Sequence, residues 1–373
     1  MEFAKNLVLQ EMQDLCGTRY SRGDTAVRCG SDPGSILLEG QWAKFKRPRA
    51  KKNGKEIKLK SYDSLRDYDL LSDRVMAHMM EGVSTRHYEG LLKEVEDGTG
   101  LSHSAVSRAF MKGSKKKLEE MNSRSLKEFR FVAAMLDGVE IGEKSVIVAL
   151  GINDKGKKMI LGTREGDSEN SEVVKDLMRS LMERGLSTQL IPLFVLDGSK
   201  ALKKAIKKFF GENVFIQRCV RHKERNILAY LPEISHMEFR RRWKKLHGLK
   251  DYKLALKEHE SLLKFLGEYS HEAVSSLVEA NMETLTVVKL GLPDLLRKSL
   301  LSTNPIESPF NVFRRITHRI TNWKSSKTQA SRWVASCLLH SEKSFRTIKG
   351  FKEIPILVKA LQKFNLQTEL EAA

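Results

Sequence analysis

The residues of this 373-residue chain best suited to chemistry are three acids. Asp137 closes the apolar run Val132–Leu136 at the end of a first core strand, in MLDGVE, and Asp197 repeats the arrangement in FVLDGS. Glu307 stands in STNPIES, where Thr303 and Asn304 suit the cap of a helix that carries Glu307 in its first turn. Taken singly, each has an ordinary reading. Asp-Gly is common turn chemistry, and a first-turn glutamate complements the helix dipole. Brought together, three carboxylates make an oxygen-rich site for hard divalent cations such as Mg²⁺. Two such ions about 4 Å apart serve in-line phosphoryl transfer, one at the attacking oxygen and one at the leaving oxygen.

The elements around the acids must make them converge. FRFVAAMLDGVEI, KSVIVALGIND and KKMILGTREG read as three consecutive strands with turns at Gly142 and at Asp154-Lys155-Gly156. SENSEVVKDLMRSLMERG then has helical apolar spacing, LIPLFVLDGS is a buried strand, SKALKKAIKKFFG is a basic amphipathic helix, and NVFIQRC is a further strand. The order β-β-β-α-β-α-β is that of an α/β ribonuclease H-like core, where the first and fourth strands are neighbours. Asp137 and Asp197 then meet at one sheet edge.

Five regions follow: a basic N-terminal arm (1–60), a helical region (61–128), the first part of the core (129–221), an all-helical insertion (222–300) and the completion of the core with the Glu307 helix and C-terminal helices (301–373). Lys44–Lys60 holds nine basic residues against Glu56 and reads either as a solvated hairpin or as an arm on DNA phosphates. LLSDRVMAHMMEG, STRHYEGLLKEVEDG and GLSHSAVSRAFMKGSKKK read as three short helices, the last two parted by Asp97-Gly98-Thr99-Gly100. That is helix-turn-helix grammar, with an ordinary helical hairpin as the alternative. On the third helix Ala105, Val106, Ala109 and Phe110 face inward. Ser104, Ser107, Arg108 and Lys112 face outward, a polar and basic surface that suits a major groove. Arg241 and Arg242 lie in the densest basic run of the insertion, and Arg314, Arg315 and Arg319 continue the Glu307 helix as a basic face.

Sixty-six Lys and Arg against 47 Asp and Glu leave a net charge of +19, which favours nucleic acid as partner. No run of eighteen apolar residues and no signal-peptide core stand in the sequence, so a cytoplasmic protein without membrane insertion is expected. Four scattered cysteines read as reduced thiols. Trp243, Trp323 and Trp333 read as packing aromatics, although Trp323 sits among basic groups in HRITNWKSSK, where base stacking is the alternative.

The strings MLDGVEIGEKSVIVALGIND, LFVLDGSKAL, FIQRCVRHKERNI and STNPIES, in this order, resemble the Mutator-related insertion-sequence transposases of the DDE class over roughly residues 65–345. The resemblance implies that Asp137, Asp197 and Glu307 are the catalytic ligands of two divalent metal ions, Mg²⁺ or Mn²⁺. It makes Cys219 and His222 the family's C-x-x-H pair, structural or DNA-positioning beside the centre, with Arg225 and Asn226 following toward phosphates. This chain departs from the usual pattern in carrying Pro305 and Pro309 around Glu307. The expected function is a transposase that binds terminal inverted repeats and cuts and joins DNA as a dimer or higher assembly, on the nucleoid of a bacterial or archaeal cell. A different ribonuclease H-like nuclease and a non-catalytic DNA-binding regulator are the competing readings.

Overall fold

A computed structural model describes residues 1–18, 26–38, 41–66, 68–84, 86–88, 98–99, 102–166, 171–186, 190–323 and 326–372. The chain divides into two compact units, Met1–Lys116 and Lys117–Ala373.

The first unit begins with helix α1 (Glu2–Cys16), whose Ala4, Val8, Met12 and Cys16 recur every four residues and bury one face. Strands β1 (Val27–Leu38), β2 (Gln41–Lys52) and β3 (Lys55–Ile57) form an antiparallel sheet in chain order. Asn53 and Gly54, at φ 52° and 78°, make the two-residue turn between β2 and β3. Helices α2 (Lys60–Ser64) and α3 (Tyr68–Met80) follow, then the short β4 (Gly98–Thr99), which pairs with β2, and helix α4 (His103–Ser123), which runs on into the second unit. The basic stretch Lys44–Lys60 lies mostly in β2, the turn after it and β3, an antiparallel hairpin. Ala43, Phe45 and Ala50 of the basic strand pack with Val8, Met12 and Ile36 in a small core. The helix expected in STRHYEGLLKEVEDG lies largely outside the described residues.

The second unit opens with β5 (Phe131–Ile141), β6 (Lys144–Asn153), β7 (Lys158–Gly166), α5 (Ser171–Glu183), β8 (Leu193–Leu196), α6 (Lys200–Phe210) and β9 (Ile216–Arg218). The sheet order is β7-β6-β5-β8-β9, antiparallel from β7 to β5 and parallel across β5, β8 and β9. Strand parity decides what faces what. Ala134 and Leu136 of β5 and Phe194 and Leu196 of β8 enter a core with Val174, Leu177 and Leu181 of α5 and Leu202, Ile206 and Phe210 of α6. Residues of the other parity face the opposite side of the sheet.

That side is covered by later helices. Between them lie α7 (Val220–Leu228), α8 (Glu233–Gly248), α9 (Tyr252–Gly267), α10 (His271–Glu279), α11 (Thr286–Lys289) and α12 (Asp294–Leu300), all helical as the sequence predicts. Buried Phe239, Trp243, Leu246, Leu262 and Leu266 fill this block. Helices α13 (Asn304–Thr317), α14 (Gln329–Glu342) and α15 (Ile354–Ala372) end the chain; α13 and α15 pack on β5, and α14 on β6 and β7. None of the described helices is long and apolar enough to cross a membrane.

Candidate active site

Asp137 is not the last residue of its strand, as the apolar run before it suggests. β5 continues to Ile141 because it still pairs with β6, through Asp137↔Val148 and on to Ile141↔Lys144. The parallel partner β8 does stop here. Leu136 pairs with Leu196, so Asp137 and Asp197 are the next residues along two adjacent parallel strands. Both have the parity that points away from the α5 and α6 core, toward the side where α13 lies. Asp137 is only 5% exposed.

The turn after β8 fixes Asp197. Its Oδ1 accepts a hydrogen bond from the Ser199 amide at 2.9 Å, and the Ser199 hydroxyl accepts one from the Leu202 amide at 3.4 Å to cap α6. Gly198 between them has φ 125°, and a side chain there would strike the Arg218 guanidinium. Buried Arg218 pairs with Glu279 and lies 3.9 Å from Glu283, while buried Lys223 donates to Glu279 at 2.9 Å. These ion pairs brace β9 and α7 against α10.

Glu307 reaches the same place from α13. Its amide donates to Thr303 O at 3.0 Å, so it sits in the first turn as the sequence predicts. Pro309 lies inside this helix and deprives it of one donor, yet α13 runs unbroken to Thr317. Thr303 does not cap the helix with its side chain. Its hydroxyl instead lies 3.5 Å from Cys219 Sγ, 3.4 Å from His222 Nδ1 and 3.5 Å from Glu307 Oε1. Two backbone bonds seat this junction: Cys219 N donates to Leu196 O at 2.7 Å, and Val220 N to Leu301 O at 3.0 Å. From α7, His222 Nε2 and Arg225 Nη2 each approach a different Glu307 oxygen at 3.7 Å. One ligand atom each from Cys219, His222 and Glu307 lies within 4.8 Å of the others.

Electrostatics ties the three acids together. Burial, then the neighbouring Asp197 carboxylate, raises the Asp137 pKa from 3.8 to about 7; Glu307 adds to the rise, and His222 and the Gly138 amide oppose it. A hydrogen bond with Cys219, helped by Asp137 and Glu307, raises His222 to about 9 against its burial. Burial disfavours the Cys219 thiolate, but hydrogen bonds from His222 and Thr303 outweigh it and hold the thiol below its usual value. Asp137 resists ionisation chiefly because it is buried and then because the Asp197 carboxylate is near, a charge balance that a cation would relieve, and carboxylate oxygens are the donors that hard divalent cations take.

The other predicted site residues lie apart from this cluster. Asn226 is exposed on α7, beside a cleft lined by Lys223, Tyr230 and His271. Arg241 and Arg242 both grip Glu238, with Nε distances of 2.6 and 2.7 Å, and Arg242 also lies over the Phe265 ring. Arg314 and Arg315 are exposed on α13, and Arg319 is exposed in the turn that follows it. Ser104, Ser107, Arg108 and Lys112 are exposed on α4, while Val106, Ala109 and Phe110 are buried. Sequence reasoning missed the bridging role of Thr303 and the bracing pairs of Arg218 and Lys223. The only sequence signal for them is their place in the strings around Cys219 and Glu307.

Comparison with known proteins gives this geometry its context. The sequence profile described as "Transposase, Mutator family" matches residues 3–346. The chain belongs to the Mutator family of transposases. The Mutator-family match thus spans α1 to α14. Among relatives, the transposase for insertion sequence element IS1201 of Lactobacillus helveticus is 28% identical over 255 residues, 66% of this chain and 67% of the relative. The transposase for IS256 in transposon Tn4001 of Staphylococcus aureus is 29% identical over 294 residues, 72% of this chain and 70% of the relative. The transposase for ISRM5 of Rhizobium meliloti is 31% identical over 251 residues, covering 64% and 60%.

Proposed function

We propose that this chain is an insertion-sequence transposase that cleaves DNA at the ends of its element and joins the freed ends to target DNA, with Asp137, Asp197 and Glu307 as its catalytic carboxylates. The observation that carries the reading is the register of β5 against β8, which sets two aspartates side by side at one sheet edge with Glu307 close enough to perturb Asp137. The strand order is the one expected of a ribonuclease H-like core, and the helices between β9 and α13 stand as its insertion.

The three carboxylates would hold two divalent cations, Mg²⁺ or Mn²⁺, which would supply activation of an attacking oxygen and stabilisation of a leaving oxygen during in-line phosphoryl transfer. The protein's own groups position and compensate. His222 and Arg225 approach Glu307 from either side and orient it. Thr303 ties Glu307 to Cys219 and His222, so the helix and the junction move together. Arg314 and Arg315 on α13, with Arg319 in the turn after it, give a basic outer surface for backbone phosphates. Water is the first nucleophile and a freed 3′-hydroxyl the second. Both steps are the same displacement, so no covalent protein intermediate is needed.

The exposed face of α4, with Ser104, Ser107, Arg108 and Lys112, is assigned to terminal-repeat recognition in a helix-turn-helix-like arrangement. Two transposon ends call for two copies of the chain, acting on chromosomal DNA in the cell interior. The test incubates purified protein with a supercoiled plasmid that carries the element's own ends. Nicks at the ends and joined products are expected with Mg²⁺ and not with EDTA. Asp137→Asn, Asp197→Asn and Glu307→Gln should abolish both products while leaving end binding intact. Undiminished cleavage by either aspartate variant refutes the assignment.

A further inference from the structure

Beyond the end of α13 lies a cleft that this chemistry does not use. About 480 Å³ in volume, it is lined by Ile141, Glu143 and Lys144 at the β5–β6 hairpin tip and by Asn322, Trp323 and Lys327. Gly142 makes the approach possible. It has φ 63°, and a Cβ built there would lie 3.3 Å from Trp323 Cβ. The indole also meets Phe313 of α13, with ring centroids 6.2 Å apart and planes tilted by 37°. Trp323 is thus pinned along one edge and half-buried, with the rest of its surface forming a wall of the cleft.

The cleft's position is set by two elements that also reach the carboxylates. Glu307 stands at the start of α13 and influences Asp137 on β5, while the far end of α13 leads to Trp323 on the β5 hairpin tip. α13 therefore runs along β5 in the same direction. From Asp137 to Ile141 the strand rises about 13 Å, and from Glu307 to Thr317 the helix rises about 15 Å. Positions 307, 311, 314 and 318 share one helix face, and Asn311, Arg314, Arg315, His318 and Arg319 are all exposed. A polar and basic track thus leads from the acids to the cleft. At 3.4 Å per nucleotide its length corresponds to about four or five nucleotides.

We propose that the cleft receives an unpaired nucleotide of the DNA strand, with its base on the Trp323 indole and its phosphate between Lys144 and Lys327, about four or five nucleotides from the phosphodiester held at the carboxylates. This rests on the transposase reading. It adds a subsite that senses an unstacked base, which an aromatic wall takes without regard to sequence because every base has a π-face.

The test uses the full chain in EDTA and measures fluorescence anisotropy with two labelled probes, oligothymidylate of about 15 nucleotides and a blunt duplex of about 30 base pairs. Trp323→Ala should weaken oligothymidylate binding about five- to 150-fold, the range expected for loss of one base–aromatic stack, and leave duplex binding within about twofold. Trp323→Phe should stay within about threefold of wild type on both probes, which separates stacking from collapse of the loop. Lys327→Ala should lower the salt slope for oligothymidylate by about one ion. Wild-type-like binding of oligothymidylate by Trp323→Ala, an equal loss on both probes, or a Phe variant no better than Ala overturns the subsite. A wild-type chain that binds neither probe removes the transposase reading and the subsite with it. One that binds duplex and nicks plasmid with Mg²⁺, while Trp323→Ala is indistinguishable from it, removes the subsite alone.

Discussion

Replacing Asp137 with asparagine should stabilise the metal-free protein, and the gain should depend on pH in a calculable way. Asparagine keeps the shape of the side chain and removes the charge that burial and Asp197 oppose. An acid whose pKa rises from 3.8 to about 7 on folding binds more protons folded than unfolded between those values. Stability therefore falls as pH rises through that window, and the loss is complete above it, reaching about 4 kcal/mol. Between pH 5 and pH 8 the wild type should lose about 2.5 kcal/mol that Asp137→Asn retains. The elevated pKa of His222, about 9, acts with the same sign: its stabilisation is full below 6.5 and lost as pH rises through 9. Urea denaturation in EDTA at the two pH values measures the difference directly. Adding Mg²⁺ at pH 8 should stabilise the wild type and not the variant, because ligand binding to the folded state raises stability by mass action. An equal stability difference between variant and wild type at both pH values would refute the electrostatic argument.

Other perturbations test the scaffold. Glu279→Ala leaves buried Lys223 without its carboxylate and Arg218 with Glu283 at 3.9 Å, and should cost about 3 kcal/mol in urea denaturation, whereas Lys223→Met, which leaves Glu279 paired with Arg218, should cost less than about 2 kcal/mol. Gly198→Ala forces a side chain onto Arg218 at φ 125° and should cost about 1–3 kcal/mol, with cleavage falling further than stability because the Asp197 turn shifts. Buried His247 has its pKa lowered from 6.5 to about 4, chiefly by burial. It is neutral when folded, so stability should be lost as pH falls from 6.5 toward 4, by about 3 kcal/mol in all. His247→Gln should flatten that acid limb of the denaturation profile.

The acids and their strands were legible because apolar runs and Asp-Gly turns are local signals. The parity that aims Asp137 and Asp197 to one side was also legible, since it needs only the alternation within each strand and their adjacency. The strand end at Asp137 was misread because an acid after five apolar residues resembles a terminus, while continuation to Ile141 depends on pairing with β6. The N-terminal sheet was hidden beneath its charge: Arg47 and Arg49 are each held by both Asp32 and Glu56, contacts between strands that no local window contains. Thr303 read as a cap because caps are local, whereas its contacts with Cys219 and His222 join residues more than eighty positions apart. The C-terminal helices were legible in the same local way: Ile354, Leu357 and Leu361 of α15 keep helical spacing and are buried.

The backbone bond from Val220 to Leu301 joins the start of α7 to the segment just before α13. The chain thus leaves the sheet and returns to it at nearly one point, after traversing the whole helical block. A detour whose entry and exit coincide can gain or lose helices without altering the spacing of Asp137, Asp197 and Glu307. This makes the block a natural site for grafting: its outer surface can be redesigned for new DNA contacts, or a foreign domain inserted at its loops, while the carboxylates keep their register.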